Sequence, residues 1–156
     1  MSRTLSSTAI ASTNAQETDE VWLVLLTIDH GSLEAPLRVV NNNANVTSDG
    51  HEFIAFPFEI ELPGEDPDQP ATARLKIDNV DRRVVQALRS IDSAPTVTIQ
   101  VVLASAPSTV EISFEGMTLR NAIYDANAIT AELTFEQILT EPIAVTMNPQ
   151  RFPGMF

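Results

Sequence analysis

Residues 21–28 read VWLVLLTI, and this stretch is apolar at nearly every position. A strand that packs only one face on a core alternates apolar with polar residues. A run that is apolar on both faces is typical of a central strand with a packed layer on each side. We therefore expect residues 21–28 to lie at the centre of the fold, where Trp22 contributes to packing rather than to ligand stacking.

Apolar and polar residues alternate with a period of two in much of the remaining chain. This pattern indicates strands that bury one face. The alternating segments are residues 52–62, 71–77, 96–103, 109–116 and 128–135. Several such strands beside a central one predict an antiparallel sheet system.

The segment 52–62, EFIAFPFEIEL, carries a proline in the middle of its alternation. Ile54, Phe56, Phe58, Ile60 and Leu62 are expected to point inward. Pro57 cannot donate a hydrogen bond to a neighbouring strand, so we expect an edge strand or a bulge at this position. The preceding pair Asp49-Gly50 tolerates positive φ angles and predicts a tight hairpin turn.

Helical spacing of apolar residues is clear in residues 78–91, DNVDRRVVQALRSI. We expect a helix near 81–91, whose start Asp78 or Asn79 can cap. The composition of residues 1–16 indicates an N-terminal arm or a short helix. The expected organisation is a mainly β domain over 17–140 with one flanking helix, followed by a C-terminal arm over 141–156.

Charge and composition exclude several classes of function. The net charge of −12 disfavours sequence-specific nucleic-acid binding, because phosphate groups are repelled. The absence of cysteine removes disulfides, thiolate metal sites and cysteine nucleophiles. No apolar run approaches the roughly 20 residues that span a bilayer, and the N-terminus lacks the apolar stretch of a signal peptide. We expect synthesis in the cytoplasm and no membrane contact.

The search for catalytic or metal-binding residues gives weak candidates. His30 follows Asp29, so a general base oriented by a carboxylate can be drawn, but a structural histidine at a strand end is the favoured interpretation, as it is for His51. Acidic residues in the loop 62–70 match no calcium-loop spacing and are expected to be solvated. No serine lies in a nucleophile elbow and no glycine-rich phosphate loop is present. The sequence predicts no enzyme, no cofactor and no metal.

The C-terminal residues RFPGMF, 151–156, are unusually apolar for a chain end. Pro153 and Gly154 form a turn signal between aromatic residues. We interpret this end as an anchor that docks on its own domain or on a neighbouring subunit. The predicted interface residues are Phe152, Pro153, Gly154, Met155 and Phe156.

Four stretches together resemble a family of small tailed-phage minor tail proteins, catalogued as a domain of unknown function and encoded among tail-tip genes. They are EVWLVLLTIDH at 20–30, GHEF at 50–53, KIDNVDRRVVQALRSI at 76–91 and the terminal RFPGMF. The resemblance implies a fold similar to that of tail-tube proteins, a sandwich or split barrel of two packed antiparallel sheets with a flanking helix. It implies no catalytic residues.

The resemblance also implies a function, namely a structural subunit of the distal tail protein type in the virion tail tip. Such subunits form a homo-hexameric ring that joins the tail tube protein to the baseplate hub or central fibre protein. A channel for DNA through the ring is expected to have an acidic wall that DNA does not bind. The candidate wall residues are the outward-facing Glu59, Glu61, Glu111 and Glu115.

Two other classes of function compete with the ring subunit. One is a β-sandwich binding module for host surface carbohydrate, which the low aromatic content of 6% disfavours because such modules need exposed aromatic residues. The other is a small cell-wall hydrolase, which the missing nucleophile and metal signatures disfavour more strongly.

Overall fold

The computed structural model describes residues 2–3, 5–62, 72–78, 93–125 and 128–135. The helix expected near 81–91 and the C-terminal arm expected over 141–156 lie outside the described residues, as does nearly all of the acidic loop. Within the described part, no helix has the length and apolar character needed to cross a bilayer.

The described elements are mainly strands. In chain order they are β1 Ser2–Arg3, α1 Ser7–Asn14, β2 Trp22–Asp29, β3 Leu37–Val40, β4 Val46–Ser48, β5 His51–Ala55, β6 Phe58–Glu61, β7 Thr72–Asp78, β8 Thr96–Leu103, β9 Ala106–Tyr124 and β10 Ala128–Thr134. The helix α1 lies in the segment for which the sequence predicts an arm or a short helix. The expectation of a mainly β fold is confirmed.

The strands form one open sheet in the order β4-β5-β3-β2-β8-β9-β10-β7-β6, and β1 pairs with β9 beside this path. The pair β3–β5 is parallel, with Val39 opposite Ile54, so the sheet is mixed. This arrangement differs from two packed antiparallel sheets, because hydrogen bonding continues from β2 through β8 into β9.

The strand β2 is covered on both faces, as its sequence predicts. Leu26 and Ile28 belong to a large buried cluster, whereas Leu23 and Leu25 belong to a second, smaller one. Leu25 and Leu26 are each 0% exposed although they are neighbours in sequence. Trp22 is partly buried at the start of the strand, opposite Leu103 of β8.

The large cluster collects residues from strands that are far apart in the sheet order. Leu26 and Val39 come from β2 and β3, and Phe58 and Leu75 come from β6 and β7. Distant strands of one sheet can share a cluster only when the sheet curls, so the sheet wraps around a common core. Burial of this apolar surface is the main source of stability of the fold.

The alternation in residues 52–62 does not continue through Pro57. The strand ends at Ala55, and β6 begins at Phe58. Among the described strands β6 is the last in the sheet order, as expected of an edge strand. The break shifts the buried face by one residue. Phe53 is therefore buried, and the expected inward position of Ile54 is wrong because Ile54 is 49% exposed. The expected inward position of Leu62, just after β6, is also wrong, because Leu62 is 39% exposed.

Positive φ angles mark a turn and two irregularities in β9. Asp49 (φ 47°) and Gly50 (φ 77°) connect β4 to β5, which confirms the predicted hairpin turn. Gly116 (φ 71°) lies where the register of β8 and β9 shifts between Ile99–Phe114 and Val97–Met117. Asn121 (φ 53°) lies at a shift against β10. These bulges bend a strand that is much longer than the predicted 109–116.

Candidate functional site

Charged side chains of alternating sign cross the outer face of four neighbouring strands. Glu61 of β6 lies opposite Arg74 of β7, which lies opposite Glu132 of β10, and Glu132 lies opposite Arg120 of β9. Glu132 also accepts a hydrogen bond of 2.7 Å from the Asn121 side chain. Opposite charges at directly facing positions stabilise a sheet.

A second row runs parallel to the first. The Lys76 ammonium lies 3.1 Å from the Glu59 carboxylate, whereas the Arg74–Glu61 pair is longer, at 3.8 Å. Thr130 follows Lys76 on β10, and Ile123 of β9, 67% exposed, ends the row. We call the six charged residues of the two rows the charged ladder: Glu59, Glu61, Arg74, Lys76, Arg120 and Glu132.

The charged ladder is electrically balanced, because it holds three carboxylates and three cationic groups. The net charge of −12 therefore arises outside it. Both ion pairs are solvent-exposed, so each contributes about 0–1 kcal/mol to stability. The ladder's main effect is on what can pack against this face: a partner must present complementary charges to avoid unpaired buried groups.

The predicted outward position of Glu111 is wrong, because this residue is 1% exposed. The alternation in β9 does place Glu111 on the face opposite Ile112, away from the large core cluster. However, the segment before α1 covers that face. Ser6 donates two hydrogen bonds to the Glu111 carboxylate, one from its backbone N–H and one from its hydroxyl, each 2.6 Å long.

The Ser6 hydroxyl also caps α1, since its oxygen accepts a 3.1 Å hydrogen bond from the Ala9 N–H. A carboxylate near a helix N-terminus is favourable because it lies at the positive end of the helix dipole. Glu111, Ser6 and Ala9 thus form a network, which we call the arm clasp, that holds the N-terminal helix on β9. Sequence reasoning missed the clasp, although a serine before a helical segment is a capping signal.

The other acidic residues proposed for the channel wall are on the surface. Glu59 and Glu61 belong to the charged ladder. Glu115 is exposed on β9 and accepts a 2.9 Å hydrogen bond from the Ser113 hydroxyl. The predicted interface residues 152–156 lie outside the described residues, and so do the arginines of the predicted helix.

His30 lies within hydrogen-bond distance of a serine hydroxyl, as the histidine of a catalytic Ser-His dyad does. Its Nε2 lies 2.6 Å from the Ser93 hydroxyl, and its Nδ1 accepts a 3.1 Å hydrogen bond from the Ser32 N–H. A backbone N–H can only donate, so Nδ1 carries the lone pair and the proton of the neutral ring is on Nε2. In a Ser-His dyad, Nε2 must instead accept the serine proton. The geometry favours a structural link between the turn after β2 and the segment before β8.

Acidic and histidine side chains do not gather around a common point in the described part of the chain, where no group of three potential metal ligands occurs. His51 is exposed beside the hairpin turn. A groove between this hairpin and the sheet is lined by His51 and by further polar residues that sequence reasoning missed, among them Arg38, Thr98 and Gln100.

Fold and site together define the class of the protein: a mainly β chain built on one curled, mixed sheet with a charged outer face. The chain belongs to the family described as Domain of unknown function (DUF1833), whose profile matches residues 8–148. No curated protein matches the chain.

Proposed function

We propose that the chain is a structural subunit of a phage tail tip. It forms a homo-hexameric ring of the distal tail protein type, between the tail tube protein and the baseplate hub or central fibre protein. The ring leaves a channel for DNA, and its place of action is the virion. The proposal rests on the resemblance of the four sequence stretches and on the strand edge described next, since the family's description names no function.

The observation that carries the proposal is the terminal strand β6. Among the described strands, β6 has a neighbour on one side only, β7. A terminal strand offers unpaired backbone N–H and C=O groups to another chain. Glu59 and Glu61 stand on this strand at the outer face, so a partner must match their charges as well as the strand edge. Such a requirement suits a specific subunit contact and disfavours unspecific pairing.

The curled sheet is compatible with the two packed layers of a tube-protein-like fold. The strands β2 and β3 contribute one side of the large core cluster, and β6 and β7 contribute the other. We propose that these two groups of strands act as the two layers when the subunit is in the ring. A head-to-tail contact between copies then closes into a ring if the rotation between neighbours closes.

The proposed channel wall consists of acidic and neutral polar residues. Glu59, Glu61 and Glu115 remain candidates, whereas Glu111 is removed because it is buried. Arg74 and Lys76 neutralise the first two carboxylates, so this face would present balanced charge to DNA. A balanced wall offers DNA no cluster of cations on which to stick.

The C-terminal residues give the most direct test of assembly. We expect a chain lacking residues 151–156 to fold but to fail to enter tails, because Phe152 and Phe156 supply the anchor. Burial of one phenylalanine contributes about 1.5–3 kcal/mol. The experiment complements a phage lacking this gene with the truncated chain, and circular dichroism checks its folding.

A matched control replaces both phenylalanines by leucine, which preserves apolar volume and is expected to support assembly. The double variant Phe152→Ala, Phe156→Ala is expected to behave like the truncation. Normal infectious particles from the truncated chain would show that the anchor proposal is wrong.

The alternative function, a module that binds host surface carbohydrate, receives less support. The large apolar residues exposed on the described surface are aliphatic: Leu5, Ile10, Val21, Ile54, Leu62 and Ile123. Stacking of sugar rings needs exposed aromatic faces.

A further inference from the structure

A polar groove lies between the β4–β5 hairpin and the central strands of the sheet. Its volume is about 340 Å³, which is in the range of small-molecule sites. Its polar lining includes Thr27, Arg38, Asp49, His51, Thr98 and Gln100. Phe53, which belongs to the smaller buried cluster, also lines the groove.

Three of the polar residues form a row across neighbouring strands. Thr27 of β2 lies directly opposite Arg38 of β3 on one side and opposite Thr98 of β8 on the other. Gln100 lies two residues along β8 from Thr98, on the same face. Directly opposed residues have Cβ atoms about 4.5–5.5 Å apart, so one small molecule can reach the whole row.

Most polar side chains of the groove have no hydrogen-bond partner within the described part of the protein. Among the residues that the structure describes, the side chains of Arg38, Thr27, Thr98, Gln100 and His51 make no hydrogen bond or ion pair. Arg38 is also partly buried, unlike the paired Arg74. The guanidinium of Arg38 therefore keeps its N–H donors available for an anionic ligand.

The hairpin that forms the other wall is held in place. The buried Ser48 hydroxyl donates a 2.8 Å hydrogen bond to the Pro107 carbonyl, and the Asp49 N–H donates one of 3.2 Å to the Ser108 hydroxyl. These bonds fix the Asp49–Gly50 turn to the start of β9. The groove is therefore preformed, and a ligand does not bear the entropy cost of ordering it.

We infer that this groove binds a small polyhydroxy carboxylate of the uronic acid type. The guanidinium of Arg38 matches a carboxylate in a bidentate geometry. The Asp49 carboxylate disfavours a bare anion but accepts hydrogen bonds from hydroxyl groups. Thr27, Thr98 and Gln100 both donate and accept, which suits the remaining hydroxyls. Recognition of this kind uses charge and hydrogen bonds, so it does not need the exposed aromatic residues of a stacking site.

The test is a titration of the full-length chain with D-glucuronate, followed by ¹H–¹⁵N NMR of backbone amides and of the Arg38 Nε–H. Saturable shifts confined to Arg38, Thr98, Gln100 and the hairpin are expected. D-glucose and acetate are run as matched probes, because each has only one of the two required features. Equal binding of glucose or of acetate, or no saturable shift with glucuronate, would overturn the inference.

Variants locate the site. Arg38→Gln is expected to weaken glucuronate binding about tenfold to hundredfold, because a charge-assisted contact is lost. Arg120→Gln removes the same charge from the charged ladder and is expected to leave binding unchanged. Thr98→Val keeps the side-chain shape and is expected to weaken binding severalfold, so the site remains testable if Arg38→Gln does not fold. The inference is contradicted if Thr98→Val binds glucuronate as tightly as the original chain does and Arg38→Gln, where it folds, does so too.

A uronic acid can occur as a free sugar acid or as a residue within a polysaccharide, and titration with trigalacturonate distinguishes these two sources. Binding tighter than that of glucuronate identifies a residue within a polysaccharide, and equal or weaker binding identifies a free sugar acid. The inference is independent of the ring proposal. A chain that binds glucuronate but never enters a tail would support the groove inference and refute the ring proposal.

Discussion

The strand β2 is packed on both faces around Leu25 and Leu26, whereas the strands β6, β7 and β10 are packed on one face and charged on the other. In the first region, Leu25 and Leu26 are both fully buried, in different clusters. In the second, Leu75 is buried while its neighbour Arg74 belongs to the charged ladder. The first region therefore determines whether the chain folds, and the second offers a surface that can change without unfolding it.

The largest expected effect is on the doubly packed strand. Leu25→Ala and Leu26→Ala should each lower the free energy of unfolding by about 2–5 kcal/mol, through lost apolar contacts and the cavity left behind. The loss should be greater for Leu26, which lies in the larger cluster. Urea denaturation followed by the fluorescence of the single tryptophan, Trp22, measures both. A loss below about 1 kcal/mol in either variant would contradict packing on that face.

The arm clasp should give the next largest effect. Glu111→Gln replaces one accepting oxygen by an NH₂ group that faces a donor of Ser6, so about 1–3 kcal/mol of stability should be lost. Hydrogen exchange should show the loss first in α1. The matched control is Glu115→Gln, because Glu115 is exposed on the same strand and its replacement should be nearly neutral. Equal effects of the two changes would mean that the clasp does not hold the arm.

A smaller effect is expected at the bulge that bends β9. Gly116 has a φ angle of 71°, and no atom lies within 4 Å of a Cβ added there. Gly116→Ala should therefore cost about 1–2 kcal/mol through backbone strain alone. Gly31 also has open space but no positive φ, so Gly31→Ala should change thermal stability little. Equal melting temperatures for the two variants would contradict the bent geometry of β9.

The charged ladder should show the smallest effect on stability. Glu61→Gln should change the free energy of unfolding by no more than about 1 kcal/mol, because the Arg74 pair is exposed. The effect should decrease further with added salt. Chemical denaturation at low and high ionic strength measures both quantities. A loss of unfolding free energy as large as that of the Leu25 and Leu26 variants would contradict the distinction between the doubly packed strand β2 and the charged ladder.

The local patterns that were predicted correctly from sequence depend on nearby residues alone. The doubly apolar run 21–28 predicted the central strand, and Asp49-Gly50 predicted the hairpin. Pro57 predicted the edge position of β6. In each case the signal is the chemistry of a few adjacent residues, such as a missing N–H or a tolerance of positive φ.

Most of the failures concern contacts between residues distant in sequence. Alternation gives the face on which Glu111 lies, but it cannot show that Ser6, 105 positions away, covers that face. The prediction that Ile54 points inward was wrong because Pro57 interrupts the strand and shifts the buried face. The ladder and the Arg38 groove depend on strand order, and one sequence does not determine which strands are neighbours.

The central claim is that this chain is a ring subunit of the tail tip, and electron cryo-microscopy of the intact virion tests it most directly. The account predicts six copies around a sixfold axis at the end of the tail tube, enclosing an open channel. The wall should be built of acidic or balanced residues such as Glu59 and Glu61. Three or twelve copies would contradict the hexamer, and a virion without the chain would contradict the proposed function.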